Sequence, residues 1–175
     1  MLLADFGVSS QLDRSALNDP KTKKYYLTKL VGTPGYIDPF MLTVRKYRKE
    51  EDAIAELCKE INADDIFKMD LFGLGSTLHY LITGQHLFHY DLTHEDDAFS
   101  ATLRLNQAFD PSTIQWHSLY QHVHPDCVNF IQQLLSPRLD KRPTAKTLMD
   151  HPWVKVYFVE DQAREDGLKN KLNKI

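Results

Sequence analysis

A mainly α-helical domain is the fold class that the sequence predicts, and three observations predict it. Residues 66–83 carry Ile66, Phe67, Met69, Leu71, Phe72, Leu74, Leu78, Tyr80, Leu81 and Ile82, apolar on nearly every side, which is the pattern of a helix buried all round. Ile54, Leu57, Cys58 and Ile61 follow the i, i+3, i+4, i+7 spacing of an amphipathic helix. Val128, Ile131, Leu134 and Leu135 repeat at helical spacing until Ser136-Pro137 breaks them.

Taken in chain order, Leu2, Leu3 and Ala4 read as the end of a buried strand that Asp5 and Gly7 turn into a loop. Residues 8–35 read as a polar loop, with Asp19-Pro20, a lysine cluster at 21–24 and Gly32-Thr33-Pro34-Gly35. A loop of that length in a compact domain is expected to be functional or mobile. The charged stretch 43–65 reads as an insertion that carries the amphipathic helix, and 66–83 as the core helix. Between 84 and 123 the pattern is turn-rich, with one helix expected around Asp97–Asn106. Thr144 is placed to cap a last helix through Met149, which His151-Pro152-Trp153 ends, and 155–175 reads as a charged tail.

The bulk composition narrows the function classes. A chain of 175 residues with 42% hydrophobic and 26% charged residues fits one compact unit in the ordinary globular range. A net charge of -3 argues against nucleic acid as a partner, because binding a phosphate backbone requires a strongly basic face. Cys58 and Cys127 are too few for a disulfide framework and form no Cys-x-x-Cys pair, so a reducing compartment, cytoplasm or nucleus, is expected. The apolar start runs at once into Asp5, unlike a signal peptide. No stretch approaches the roughly 20 apolar residues of a membrane span, so no membrane partner is expected.

Motif order carries more information than composition. Asp5-Phe6-Gly7 alone means little, since a tripeptide matches by chance. It is followed by Gly32-Thr33-Pro34-Gly35-Tyr36-Ile37-Asp38-Pro39, then by Asp70-Leu71-Phe72-Gly73-Leu74-Gly75 in the core helix. Ser136-Pro137-Arg138-Leu139-Asp140-Lys141-Arg142-Pro143-Thr144 and His151-Pro152-Trp153 close the series. In this order the residues resemble the eukaryotic protein kinase superfamily, serine/threonine type, from its metal motif to the end of its domain. The Gly-Thr-Pro-Gly-Tyr form and the His-Pro-Trp ending look most like the calcium/calmodulin-dependent branch.

The resemblance implies the C-terminal lobe of a fold that would be α+β and two-lobed when complete. Residues 1–154 would be a partial kinase domain, with 1–40 the activation segment, 43–65 the insertion and 66–154 the helical subdomain. It implies ATP and Mg2+ as cofactors of the complete kinase, and a protein substrate or regulatory protein as partner. Asp5 would ligate the metal, hard magnesium preferring carboxylate oxygen, while Phe6 packs and Gly7 lets the chain turn. Taken alone, Asp5 reads as a turn or N-cap aspartate. Thr33 resembles the threonine that orients the catalytic aspartate; otherwise it is an ordinary turn threonine. Gly32, Pro34 and Tyr36 belong to the same substrate-facing loop, and Thr28, with Thr22 behind it, is the candidate regulatory phosphosite.

Asp70 at the head of an apolar helix is costly unless hydrogen-bonded, and in the family it anchors the catalytic loop; the alternative is a helix-start aspartate complementing the dipole. Arg142 looks like the arginine that pairs with the glutamate of the Ala-Pro-Glu motif, yet that triplet here reads Asp38-Pro39-Phe40. A buried arginine left without its carboxylate costs about 3–5 kcal/mol, so another acid is expected, with Glu50, Glu51 and Glu56 as candidates. The 175 residues contain no Gly-rich loop, phosphate-binding lysine or His-Arg-Asp loop, all of which lie upstream of Asp-Phe-Gly in the family. His124-Pro125-Asp126 with Asn129 imitates the catalytic loop but has the wrong place and spacing.

The sequence therefore predicts a kinase fragment, inactive as this isolated chain, with a pseudokinase-like interaction module as the alternative. His86, His89 and His94, or His122 with His124, read as surface histidines rather than metal ligands. Lys21, Lys23 and Lys24 read as a solvated loop rather than a docking site.

Overall fold

The computed structural model describes residues 9–29, 32–88, 98–116 and 118–156. Seven α-helices are defined among them: α1 (Pro20–Thr28), α2 (Pro39–Lys46), α3 (Glu51–Glu60), α4 (Ala63–Thr83), α5 (Ala98–Ala108), α6 (Pro125–Leu134) and α7 (Ala145–Met149). Short 3-10 turns fill the connections, and no strand occurs among the described residues. The strand expected at Leu2–Ala4, the motif Asp5, Phe6 and Gly7, and most of the tail at 155–175 lie outside the described residues.

The 21-residue helix α4 is the axis of the fold. It starts earlier than its apolar run because Asn62 and Asp65 form a capping box, each side chain accepting the other's backbone N–H at 3.0 Å. Gly84, left-handed at φ 67°, ends it. Its first half packs with α1 and α3 around Leu27, Ile54, Cys58, Ile66 and Met69. Its second half packs on α6 around Phe72, Val128, Ile131 and Leu135. A smaller cluster of Phe130, Leu134 and Leu148 seats α7 and Trp153. Cys58 and Cys127 are buried free thiols.

Three expectations need correction. Residues 8–35 are not one loop, since they contain α1. Asp19-Pro20, read as a loop signature, is an N-cap and the first helical position: the Asp19 carboxylate accepts the Thr22 N–H at 2.8 Å, and proline fits where no helical donor is needed. The lysine cluster is not simply solvated either, because Lys23 Nζ donates to the carbonyls of Ile61 at 2.9 Å and Cys58 at 3.3 Å and so closes the C-terminal end of α3. Finally, α4 is not buried all round. Phe67, Leu74 and Tyr80 are exposed and Leu81 is 63% exposed, so the face that repeats every seven residues from Phe67 is uncovered.

Other expectations hold with shifted ends. Helix α3 buries Ile54 and Cys58 as its spacing requires, with Ile61 buried just beyond it. The helix expected around Asp97–Asn106 is α5, extended to Ala108. Thr144 caps α7 by accepting the Thr147 N–H at 3.1 Å. His124-Pro125-Asp126 is the N-terminus of α6, where His124 Nδ1 accepts the Asp126 N–H at 3.2 Å.

Candidate functional site

The segment from Gly32 to Asp38 lies against the N-terminal half of α4. Gly32 sits at φ 127°, a backbone region that favours glycine, and Pro34 opens a 3-10 turn through Tyr36 that is braced by the Tyr36 N–H donating to the Thr33 carbonyl at 2.9 Å. The turn can approach α4 because residue 73 is glycine: a Cβ there would lie 3.1 Å from the Tyr36 carbonyl oxygen. Tyr36 is oriented by its hydroxyl, 3.3 Å from His86 Nδ1, and His86 in turn stacks on Tyr80 at 4.9 Å between centroids. His86 is thus a packing residue. No group of three or more His, Cys, Asp or Glu that could hold a metal is found among the described residues.

Between this turn, α1 and α4 lies an open cavity of about 590 Å3, lined by Thr33, Tyr36, Met69, Asp70 and Gly73 among others. Thr33 is exposed, and its hydroxyl makes no capping bond. Asp70 is not at the head of α4 but two turns into it, and it is exposed rather than buried. No hydrogen bond or ion pair to its carboxylate is found among the described residues. The apolar walls nevertheless partly desolvate it and raise its carboxyl above the ordinary value of 3.8. Thr33 and Asp70 therefore share one cavity, each with oxygen unengaged by the described residues.

Beneath the cavity floor is the one fully buried charge pair that the motifs anticipate, with an unanticipated acid. Arg142 is the largest fully buried side chain among the described residues, and its Nη1 donates to Asp38 Oδ2. The rest of the guanidinium is satisfied too: Nη1 donates to the Lys68 carbonyl at 2.8 Å, and Nε and Nη2 to the Ser136 carbonyl at 3.1 and 2.6 Å. Asp38 also accepts the Phe40 N–H at 2.7 Å and so caps α2. Burial pushes the Asp38 carboxyl up, opposed by the Arg142 charge and these hydrogen bonds. Glu50, Glu51 and Glu56 are not the compensating acids. They lie exposed on and before α3, with Glu51 near Lys24 at 3.5 Å and Glu56 paired to Lys59 at 2.6 Å. The acid is two positions earlier in the triplet than the resemblance suggests, and the signal available was Asp38-Pro39 itself, a cap and first-turn proline whose carboxylate is fixed in place.

Thr28 is exposed at the last position of α1, where its hydroxyl donates to the Lys24 carbonyl at 2.8 Å. A phosphate there would meet the negative end of the helix dipole, so it would loosen this turn rather than order it. A buried pair that sequence reasoning missed is His79 with Tyr120, Nδ1 to hydroxyl at 2.9 Å.

The body is helical and organised on one long helix, with a Gly-Thr-Pro-Gly turn tied through Asp38 to a buried arginine, and comparison of the sequence shows its family. The chain belongs to the protein kinase family: residues 1–154 match the family model of the protein kinase domain. It is 25% identical over 174 residues to calcium/calmodulin-dependent protein kinase type 1 of Macrobrachium nipponense, covering 99% of this chain and 40% of that protein. Similarity to calcium/calmodulin-dependent protein kinase cmkB of Emericella nidulans is 25% over 154 residues, 88% of this chain and 30% of the relative. CBL-interacting protein kinase 25 of Oryza sativa subsp. japonica is 27% identical over 161 residues, 90% and 24% of the two chains. The chain is a serine/threonine-type member, weakly like the calcium/calmodulin-dependent branch, and it spans well under half the length of these relatives.

Protein kinases use ATP and Mg2+. Asp5, the candidate metal ligand, lies outside the described residues, and the described ones offer no cluster of metal ligands, so they do not by themselves form a site that fits Mg2+. No described helix is long and apolar enough to cross a membrane.

Proposed function

We propose that residues 1–154 are the C-terminal lobe of a serine/threonine protein kinase, with residues 1–40 as its activation segment and 43–65 as an insertion. In the complete domain the lobe would present a protein hydroxyl to the ATP γ-phosphoryl group. The observation that carries this reading is the shared cavity of Thr33 and Asp70 above the buried Asp38–Arg142 pair. An exposed aspartate on an uncovered apolar helix face, with no described partner, fits an anchor for a backbone segment outside the described residues. Thr33 is then placed to orient a group on that segment.

On this reading the isolated chain does not catalyse phosphoryl transfer. Positioning and charge stabilisation supply nearly all of that chemistry, and the sequence contains neither the phosphate-holding lysine nor the catalytic aspartate loop. The test is a fusion to Met1 of a kinase segment carrying a Gly-rich loop, a strand lysine and a His-Arg-Asp loop. Transfer to a serine or threonine peptide is expected in the fusion and lost in its Asp5→Ala variant; a fusion as active with Asp5→Ala as without it overturns the role of Asp5.

A second reading, a pseudokinase-like interaction module, is favoured by the exposed apolar row of Phe67, Leu74 and Leu81 along α4. Titration of the fusion and of its Asp5→Ala variant with ATP and Mg2+ separates the two, since the first reading alone requires a Mg2+-dependent affinity that Asp5→Ala lowers.

A further inference from the structure

We propose that the groove between α2 and α5 docks an acidic segment of a protein partner. This groove of about 560 Å3 is lined by the cations Arg45, Lys46, Arg48, Lys49 and Arg104, with Glu50 as the one acid among the described lining residues, and by the apolar residues Leu42, Leu103 and Phe99. Leu42 and Leu103 are buried and Phe99 packs on them, so the groove has an apolar floor under a cationic rim.

Arg14, Lys59, Lys68, Arg138 and Arg142 each have a carboxylate partner. Arg45, Lys46, Arg48 and Lys49 crowd into residues 45–49 without one among the described residues, whereas Lys21, Lys29, Lys141 and Lys146, which also have none, stand apart in the chain. Arg45 is also fixed in place, its guanidinium 3.9 Å over the Phe99 ring, and an ordered guanidinium binds carboxylate with less entropy to lose than a free one. Four like charges within five residues repel one another, and an anion in the groove relieves that repulsion.

The apolar floor distinguishes a peptide from other polyanions. Side chains of an acidic segment can bury against Leu42, Leu103 and Phe99 while its carboxylates meet the rim, whereas a nucleic acid backbone needs a broader basic face than a chain of net charge -3 provides. The local field draws an acidic segment despite that overall charge, because at physiological salt interactions beyond about 8 Å are screened. The inference is independent of the kinase reading, since binding is measured without nucleotide or phosphoryl transfer.

The test is fluorescence anisotropy on the 175-residue chain with fluorescein-labelled octaglutamate, octalysine and oligouridylate. Lys46, Arg48 and Lys49 are exposed, so the set Lys46→Glu, Arg48→Glu, Lys49→Glu leaves packing intact. An equally charged control set is Lys21→Glu, Lys141→Glu, Lys146→Glu, at exposed positions outside the groove. Octaglutamate is expected to bind the parent chain and to weaken with salt. The groove set should lose at least about tenfold in affinity and the control set less than about twofold, with unchanged circular dichroism in both. If the groove set unfolds, the neutral set Lys46→Gln, Arg48→Gln, Lys49→Gln should show a smaller loss of the same sign. Equal losses in groove and control sets, tighter binding of octalysine or oligouridylate than of octaglutamate, or no octaglutamate binding at low salt would overturn the proposal.

Discussion

Arg142 is buried yet every nitrogen of its guanidinium finds an oxygen: Asp38 Oδ2 and the carbonyls of Lys68 and Ser136. Removing either member of the ion pair leaves an uncompensated buried charge, so Asp38→Ala and Arg142→Met should each cost about 3–5 kcal/mol in urea unfolding. The double variant should cost less than the sum, because neither charge is stranded. Glu50→Ala, Glu51→Ala and Glu56→Ala should each stay within about 0.5 kcal/mol, since these acids sit on the surface. The need for an acid was legible from Arg142 and the missing glutamate at Phe40. Its identity was not, because it depends on a 104-residue separation in the chain closing to hydrogen-bond contact.

Asp70 gives the pH dependence at this scale. Its folded carboxyl lies above the ordinary 3.8, so its contribution to stability is fully present below 3.8 and is lost as pH rises through the folded value. Asp70→Asn, neutral at every pH, is therefore expected to be more stable than the parent at pH 7 and to lose that advantage near pH 3. Thermal melts across that range check the sign, and a variant less stable at pH 7 would contradict it. The type of residue at position 70 was legible in the sequence. Its exposure was not, because apolar neighbours along α4 suggest burial on every side, while coverage is decided by which other elements reach the helix.

At the level of elements, α4 packs closely because two of its residues have no side chain. A Cβ at Gly75 would lie 2.9 Å from Leu134 Cβ and from Leu135 Cδ2, on the helix that α4 crosses. Alanine in a helix gains about 1 kcal/mol over glycine in propensity, but overpacking of this kind costs about 1–3 kcal/mol and at 2.9 Å approaches the upper end. Gly75→Ala is thus expected to destabilise, by chemical denaturation, and more than Gly84→Ala, where no neighbour lies within 4 Å but φ is 67°. Helices α3 to α7 were legible from apolar periodicity and caps. Helix α1 was not: its buried residue is Leu27, its polar face is lysine-rich, and it holds its place through Asp19 and the Lys23 bonds to the end of α3. Those are local and tertiary polar contacts, which periodicity does not register.

For the molecule as a whole, the uncovered face of α4 and the open cavity beside it form one surface. Phe67 and Asp70 belong to both, and Leu74 and Leu81 continue the face along the helix. Exposed apolar residues in register, next to an aspartate without a described partner, form a surface suited to being covered by another segment or by a partner. The motif order made the family legible, whereas the uncovered face could not be read from it, since the same apolar pattern serves a helix covered on all sides. The most direct measurement is phosphoryl transfer from radiolabelled ATP with Mg2+ by residues 1–175, alongside circular dichroism showing the helical fold. No transfer to serine or threonine peptides above the level of the Asp5→Ala variant is expected. Robust transfer by the isolated chain that survives Asp5→Ala would contradict that expectation, because the phosphates and the hydroxyl would then be positioned by groups outside the motifs from Asp5 to Arg142.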